Sequence, residues 1–310
     1  MANISYWLVY GLTYIISLLP FKAMYLLADL VYIVTYYIIR YRRKIVRKNI
    51  KTSFPEKSKE EVVDIERKFY RWFCDYVFET FKLLSISEKK LLEHFEMNGL
   101  DVMEEYFDRG QDAAAILGHY CNWEWLSAVG IAYKRYYDNV KVGLIYHRLR
   151  NAAMDRLFRK LRSNHKGECV HKKKILRFIA KYRGENRRTL LGYISDQAPK
   201  WENIHLFIPF LNHDTPVFTG GERIMRKMKN AVFFVEMERP KRGKYIANFK
   251  LITDEPQNLP PNEVTIRFFN MLEQSIRRQP EFYLWTHNRW KRTKEEFERR
   301  QSSDVGNPTS

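Results

Sequence analysis

Two apolar blocks open the chain. Tyr6 to Leu19 is almost wholly hydrophobic and uncharged, and Pro20 ends it; Phe21 to Ile39 follows, broken only by Lys22 and Asp29. The first block is shorter than the roughly 18–20 residues that span a bilayer comfortably, while the second is about long enough. Arg40 to Lys51 then places seven basic residues in twelve. Such clusters stay on the cytoplasmic side of a membrane and bind anionic headgroups. Residues 1–51 are therefore expected to form an apolar helical membrane anchor, spanning or re-entrant, with a basic flank. A cleaved signal peptide fits poorly, because a basic leading region and a small-residue cleavage site are both missing.

The period then changes. Over residues 52–98, Val62, Ile65, Phe69, Trp72, Phe73, Tyr76 and Phe81 recur at three- and four-residue steps, the signature of an amphipathic helix. From about residue 99, short apolar runs alternate with helical stretches. Strands are expected at Ala113–Leu117, Val140–Tyr146, Thr189–Ser195, Leu206–Leu211, Ala231–Glu236 and Tyr245–Thr253. Helices are expected at Leu100–Phe107, Trp123–Tyr133, Ala152–Arg162, Lys172–Tyr182, Gly220–Met228 and Asn262–Arg278. This alternation predicts an α/β fold, a mixed sheet covered by helices. It would occupy residues 52–300, with the polar stretch 301–310 as a disordered tail.

Composition narrows the partners. The 310 residues carry 54 Lys and Arg against 36 Asp and Glu, a formal net charge of +18. That excess favours an anionic partner: a phosphorylated lipid, an acidic carrier, an anionic bilayer surface or nucleic acid. Zinc-finger, RNP and homeodomain patterns are absent and the apolar opening is out of place, so nucleic acid is set aside. Residues 156–188 alone hold thirteen Lys and Arg, a one-sided run that suits an acidic partner better than an ordinary solvated face. The three cysteines, Cys74, Cys121 and Cys169, have no spacing of a disulfide framework or zinc site. Neither a metal nor a cofactor is expected.

Candidate chemistry is concentrated in Ala113-Ala-Ala-Ile-Leu-Gly-His-Tyr-Cys-Asn-Trp-Glu-Trp125. A buried strand ends in Gly118 and His119, and Glu124 lies five residues on, where the pattern turns helical. Histidine has the near-neutral pKa of a general base. A turn there would fold the Glu124 carboxylate onto the imidazole and fix its tautomer, the base–orienter arrangement that activates a hydroxyl for acyl transfer. Backbone N–H groups at the start of the following helix would serve the oxyanion. Cys121 has no neighbour that marks it as an activated thiolate. A Gly-x-Ser-x-Gly elbow is absent, which argues against a serine lipase. Asp196 ends an apolar strand, where α/β proteins place functional groups.

Several ordered blocks resemble the late acyltransferases of bacterial lipid A biosynthesis, the lauroyl and myristoyl transferase family. They are His119-Tyr-Cys-Asn-Trp-Glu124; Tyr146, Asn151, Asp155 and Arg162; Asp196-Gln197; Phe210 to Gly220; Arg239; and Tyr283-Leu-Trp-Thr-His-Asn-Arg-Trp-Lys291. The resemblance runs from the apolar opening to Lys291, with Cys121 in place of the usual glycine and Asn212 at another glycine position. Asn tolerates left-handed backbone better than most residues, so that turn is expected to survive.

The resemblance implies a glycerol-phosphate-acyltransferase-like α/β domain at the cytoplasmic face of the inner membrane. The donor would be acyl carrier protein or coenzyme A. The acceptor would be a hydroxyl of a Kdo-bearing, phosphorylated glycolipid. His119 would be the base and Glu124 its partner, with Arg162, Asp196, Gln197, Arg239, His287 and Arg289 around the substrates. Two other functions remain compatible with the residues: a lysophospholipid or aminolipid acyltransferase with the same site, and a non-catalytic adaptor that binds anionic lipid or carrier.

Overall fold

The structure is a computed structural model that describes residues 2–132 and 139–305. Its helices are α1 (Ala2–Leu18), α2 (Phe21–Ile33, continued by a π turn Val34–Ile38), α3 (Arg43–Ser53), α4 (Lys59–Lys82), α5 (Glu88–His94), α6 (Leu100–Asp108), α7 (Val129–Ala132), α8 (Ala152–Ser163), α9 (Ile175–Gly184), α10 (Gly220–Met228), α11 (Glu263–Arg278) and α12 (Lys294–Val305). The strands are β1 (Phe95–Asn98), β2 (Ala113–Leu117), β3 (Val140–Tyr146), β4 (Glu168–His171), β5 (Arg188–Ile194), β6 (Phe207–Phe210), β7 (His213–Pro216), β8 (Ala231–Lys241) and β9 (Lys244–Thr253).

Among the described residues, seven strands form one sheet in the order β1-β9-β8-β2-β5-β3-β4, parallel throughout except where β9 returns antiparallel to β8. The fold is thus the expected helix-flanked α/β sheet. β2 lies at its centre and all five of its residues are buried, as a strand covered on both faces requires. Gly118 follows it, packed closely on α11: an added Cβ would stand 2.7 Å from a Leu272 methyl group, which would have to shift.

Three strands, β1, β4 and β7, have no counterpart in the hydrophobic pattern. β1 and β4 lie at the edges of the main sheet, are four residues long and carry polar residues, as edges usually do. The stretch Leu206–Leu211 was expected in the main sheet; β6 instead pairs with β7 in a separate hairpin. Its turn residues Leu211 and Asn212 both have positive φ, 50° and 65°, the geometry of a tight hairpin turn, so Asn212 does stand in for glycine. The helix expected over Trp123–Tyr133 is a 3-10 turn, Trp125–Ala128, followed by the short α7. Gly130 and the β-branched Val129 and Ile131 are weak helix formers; Tyr133 lies outside the described residues. At the other end, α12 continues through Val305, so the tail expected from Gln301 begins as helix, and residues 306–310 lie outside the described residues.

The first 51 residues are packed onto the body, not held apart from it. Lys82 of α4 donates to the carbonyls of Ser17 and Leu19, both at 2.7 Å, which closes the end of α1. The Tyr25 hydroxyl donates to Glu79, and Arg242 on the β8–β9 turn pairs with Asp29. On α3, Arg43 and Arg47 converge on the fully buried Glu66. Only 22% of the apolar stretch Phe21–Ile38 is covered by protein; it is long and apolar enough to cross a membrane. Trp7, Leu8, Leu12 and Ile15 of α1 and Leu26, Leu30 and Ile33 of α2 are likewise exposed.

Candidate active site

Strand register assembles the site. β2 and β5 are parallel neighbours, with Leu117 opposite Ile194. His119 follows the first by two residues and Asp196 follows the second by two, so both side chains emerge at the same level of the sheet's carboxyl edge. The imidazole Nδ1 lies 2.6 Å from Asp196 Oδ1, and the His119 backbone N–H donates to Oδ2 at 3.0 Å. Asp196 is buried, which by itself raises a carboxyl pKa. The attraction of His119, the two hydrogen bonds it donates and the nearby Arg289 charge outweigh this and hold the group below its ordinary value. An ionised carboxylate only accepts, so the Nδ1 position carries the hydrogen and Nε2 is left as the basic lone pair. Gln197 reaches that nitrogen with its side-chain amide at 3.0 Å.

Glu124 does not orient His119. Both of its oxygens are taken by Arg162, which donates from Nε at 2.8 Å and from Nη2 at 2.6 Å. The chain bends after β2 instead of entering a regular helix, and this directs the buried carboxylate toward α8. Arg162 is the only cation the described structure pairs with it. A bidentate pair of this kind is geometrically strict, and breaking it by removing one partner costs about 3–5 kcal/mol. Asn151 caps the start of α8 and Asp155 accepts the Leu149 N–H, so these two residues shape the turn that carries Arg162.

Beside the pair opens a narrow apolar cavity of about 60 Å3. It runs between the carboxyl half of the sheet and the segment 123–129. Leu117, Leu126, Val129, Leu144, Leu190, Gly192 and Ile194 line it, and Trp123, Glu124 and Arg162 form its polar end. The Trp123 ring meets His119 edge-on, with centroids 5.1 Å apart. An apolar slot with a few convergent polar groups at one end is the usual form of a small-molecule site.

The turn that carries His119 is stapled from outside. Tyr120 pairs with Tyr283 as an isolated bridge, the Cys121 N–H donates to Phe282 at 2.8 Å, and the Leu284 N–H donates to His119 at 3.1 Å. Asn49 of α3 in turn holds the carbonyls of Trp285 and His287, both at 2.9 Å. Cys121 is buried with a φ of 55°, and burial pushes its thiol pKa up, opposite to what a thiolate nucleophile needs.

Of the remaining expected residues, His287 is half-buried near Asp196 and His119; burial and the Arg289 charge lower its pKa to about 4, against the attraction of Asp196. Arg289 is fully buried and donates to the Pro216 carbonyl at 2.7 Å. Arg239 is spent elsewhere, bound to Asp75 at 2.6 Å and close to Glu79. Neither arginine lines the cavity; Arg239 is held by Asp75 and Arg289 by the Pro216 carbonyl, while Arg239 Nε and Arg289 Nε and Nη1 are buried without a hydrogen-bond partner.

Sequence reasoning missed Glu79. It is fully buried and accepts from Asn122 at 2.9 Å, Tyr245 at 2.6 Å and Tyr25 at 2.8 Å, while its backbone carbonyl takes the Trp125 indole N–H. It thereby ties the 119–125 segment to α2, α4 and β9. An available signal was its place three residues after Tyr76 on the apolar stripe of α4, where an acid must find partners.

No curated protein matches the chain. Residues 2–292 do match the family described as bacterial lipid A biosynthesis acyltransferase. With nearly the whole sequence covered, including every block around His119, the chain belongs to the bacterial lipid A biosynthesis acyltransferases.

Proposed function

We propose that this protein moves a fatty acyl group from a thioester carrier, acyl carrier protein or coenzyme A, to a hydroxyl of a lipid A precursor at the cytoplasmic face of the inner membrane. The carrying observation is the His119 imidazole, tied at Nδ1 to a buried carboxylate and packed edge-on against Trp123, which lines the apolar slot. The acceptor hydroxyl gives its proton to Nε2 as its oxygen attacks the thioester carbon. The C–S bond then breaks, and the thiolate recovers the proton from His119. Asp196 holds the tautomer and stabilises the imidazolium, while the Glu124–Arg162 pair shapes the polar mouth of the acyl slot. The chemistry needs no metal and no resident cofactor.

Exposed apolar faces on α1 and α2, with the basic α3 next to them, support seating on an anionic bilayer. Lys160, Lys172, Lys173, Lys174 and Arg177 remain exposed and suit an acidic carrier, whereas Arg162 and Arg183 are spent on Glu124 and Asp112. The test incubates membranes holding wild type or His119→Ala with labelled acyl carrier protein and several acceptors. Transfer to the glycolipid by wild type only is expected. Unchanged transfer by the variant overturns the base assignment, and transfer to lysophospholipid alone overturns the acceptor. Carrier binding without any transfer leaves the adaptor reading.

A further inference from the structure

We propose that Gln197 is a catalytic residue, whose carboxamide N–H caps the His119 lone pair at rest and then donates to the thioester oxygen during attack. This rests on the general-base reading of His119 above. Asp196 fixes the hydrogen on Nδ1, so the amide group 3.0 Å from Nε2 has to present its N–H, which sets the orientation of a side chain that could otherwise be flipped. One lone pair accepts one hydrogen bond well. The acceptor hydroxyl therefore takes the position that the Gln197 amide holds, and the amide is displaced next to the reacting atoms.

Geometry makes the second role available. A hydroxyl oxygen bound to Nε2 sits about 2.8 Å from it, and the carbonyl carbon lies one forming bond beyond. A donor that starts beside Nε2 needs only side-chain rotation to come within about 2.7–3.1 Å of the developing oxyanion. Three neighbouring donors are engaged, the His119 N–H by Asp196, the Cys121 N–H by Phe282 and the Arg162 fork by Glu124, whereas His287 Nε2 and Arg289 Nε and Nη1 are without a partner; the Gln197 amide is singled out by its direct contact with Nε2. The segment expected to offer a helix N-terminus is a four-residue 3-10 turn. As the C–O bond forms, the carbonyl π pair moves onto oxygen, where the amide meets it. The pair returns as C–S breaks, and the proton passes from the hydroxyl to Nε2 to the leaving thiolate.

The experiment compares Gln197→Leu and the isosteric Gln197→Glu with wild type and His119→Ala, reading kcat, KM and the pH dependence of kcat/KM in membranes. Loss of one oxyanion donor lowers kcat by about a hundredfold to a thousandfold, with KM within a few fold, in both variants. Removing a donor that favours the neutral imidazole moves the acid limb to higher pH in Gln197→Leu, and further in Gln197→Glu, whose carboxylate favours the imidazolium. Asp196, His287 and Arg289 also face His119 and are unchanged in both. A kcat within threefold of wild type in either folded variant, while His119→Ala is inactive, overturns the oxyanion role. An unmoved acid limb overturns the cap. Transfer that survives in His119→Ala defeats the underlying reading instead.

Discussion

Replacing Asp196 with Asn tests which acid steers the base. The carboxylate serves two donors of one residue, Nδ1 at 2.6 Å and the backbone N–H at 3.0 Å. A carboxamide has one oxygen. If that oxygen keeps the backbone N–H, the NH2 group faces Nδ1, the hydrogen moves to Nε2 and the base is lost. If it keeps Nδ1, two donors face each other in a buried site at a cost of about 1–3 kcal/mol. The expected loss in kcat is about a thousandfold to ten thousandfold, or roughly 4–5.5 kcal/mol of barrier. Glu124→Gln also lowers activity, by leaving the Arg162 charge unpaired, so single variants do not separate the two acids. Urea unfolding in the His119→Ala background does, read as a double-mutant cycle. There Asp196→Asn is silent, because its target is gone, whereas Glu124→Gln still costs, because its partner remains. The opposite pattern, a silent Glu124→Gln and a costly Asp196→Asn, refutes the register argument and restores Glu124 as the orienter.

Three further outcomes follow from local geometry. Cys121→Gly and Cys121→Ala both remove the thiol but only glycine accepts a φ of 55° without strain. The glycine variant is expected to be more stable than the alanine variant by about 1 kcal/mol in denaturant unfolding. His287 stays neutral in the fold until about pH 4, against an ordinary value of 6.5. As pH falls from 6.5 to 4 the unfolded chain gains a proton that the folded one refuses, so wild type loses up to about 3 kcal/mol that His287→Asn does not. Urea midpoints in detergent at pH 7 and pH 4 read the difference. Gly192 borders the slot, where an added Cβ would meet Leu144 at 3.7 Å. Alanine therefore fits and Gly192→Leu fills the slot, which shifts transfer toward shorter acyl chains in a competition assay with mixed donors.

Hydrophobic period made the layered α/β fold legible because the central strands are uniform apolar runs: Ala113–Leu117 and the core of Arg188–Ile194 announce burial on both faces. The edge strands β1 and β4 did not announce themselves, since they are short and half polar. The segment after His119 was misread as helix because its apolar residues repeat at helical spacing. Their repetition reflects burial on several sides: Trp125 is fully buried against Phe95 and Tyr245 and donates to the Glu79 carbonyl. Period reports which residues are buried, and not which backbone geometry buries them.

The site divided along the same line. His119 was visible because strand end, glycine and histidine are consecutive in the chain. Its orienter was not, because 77 residues separate Asp196 from His119 and only the pairing of β2 with β5 brings them level. A one-residue slip of that register would turn the aspartate to the other face of the sheet. Glu124, close in sequence, was the natural choice for the role, yet a buried carboxylate goes to the strongest donor it can reach, and a guanidinium fork offers two charged donors where an imidazole offers one. With Glu124 held by Arg162 and Asp196 by His119, each buried acid has a cationic or potentially cationic partner. The orienting contact that the sequence assigned to Glu124 is thus made by Asp196, while Glu124 meets Arg162 at the polar end of the cavity.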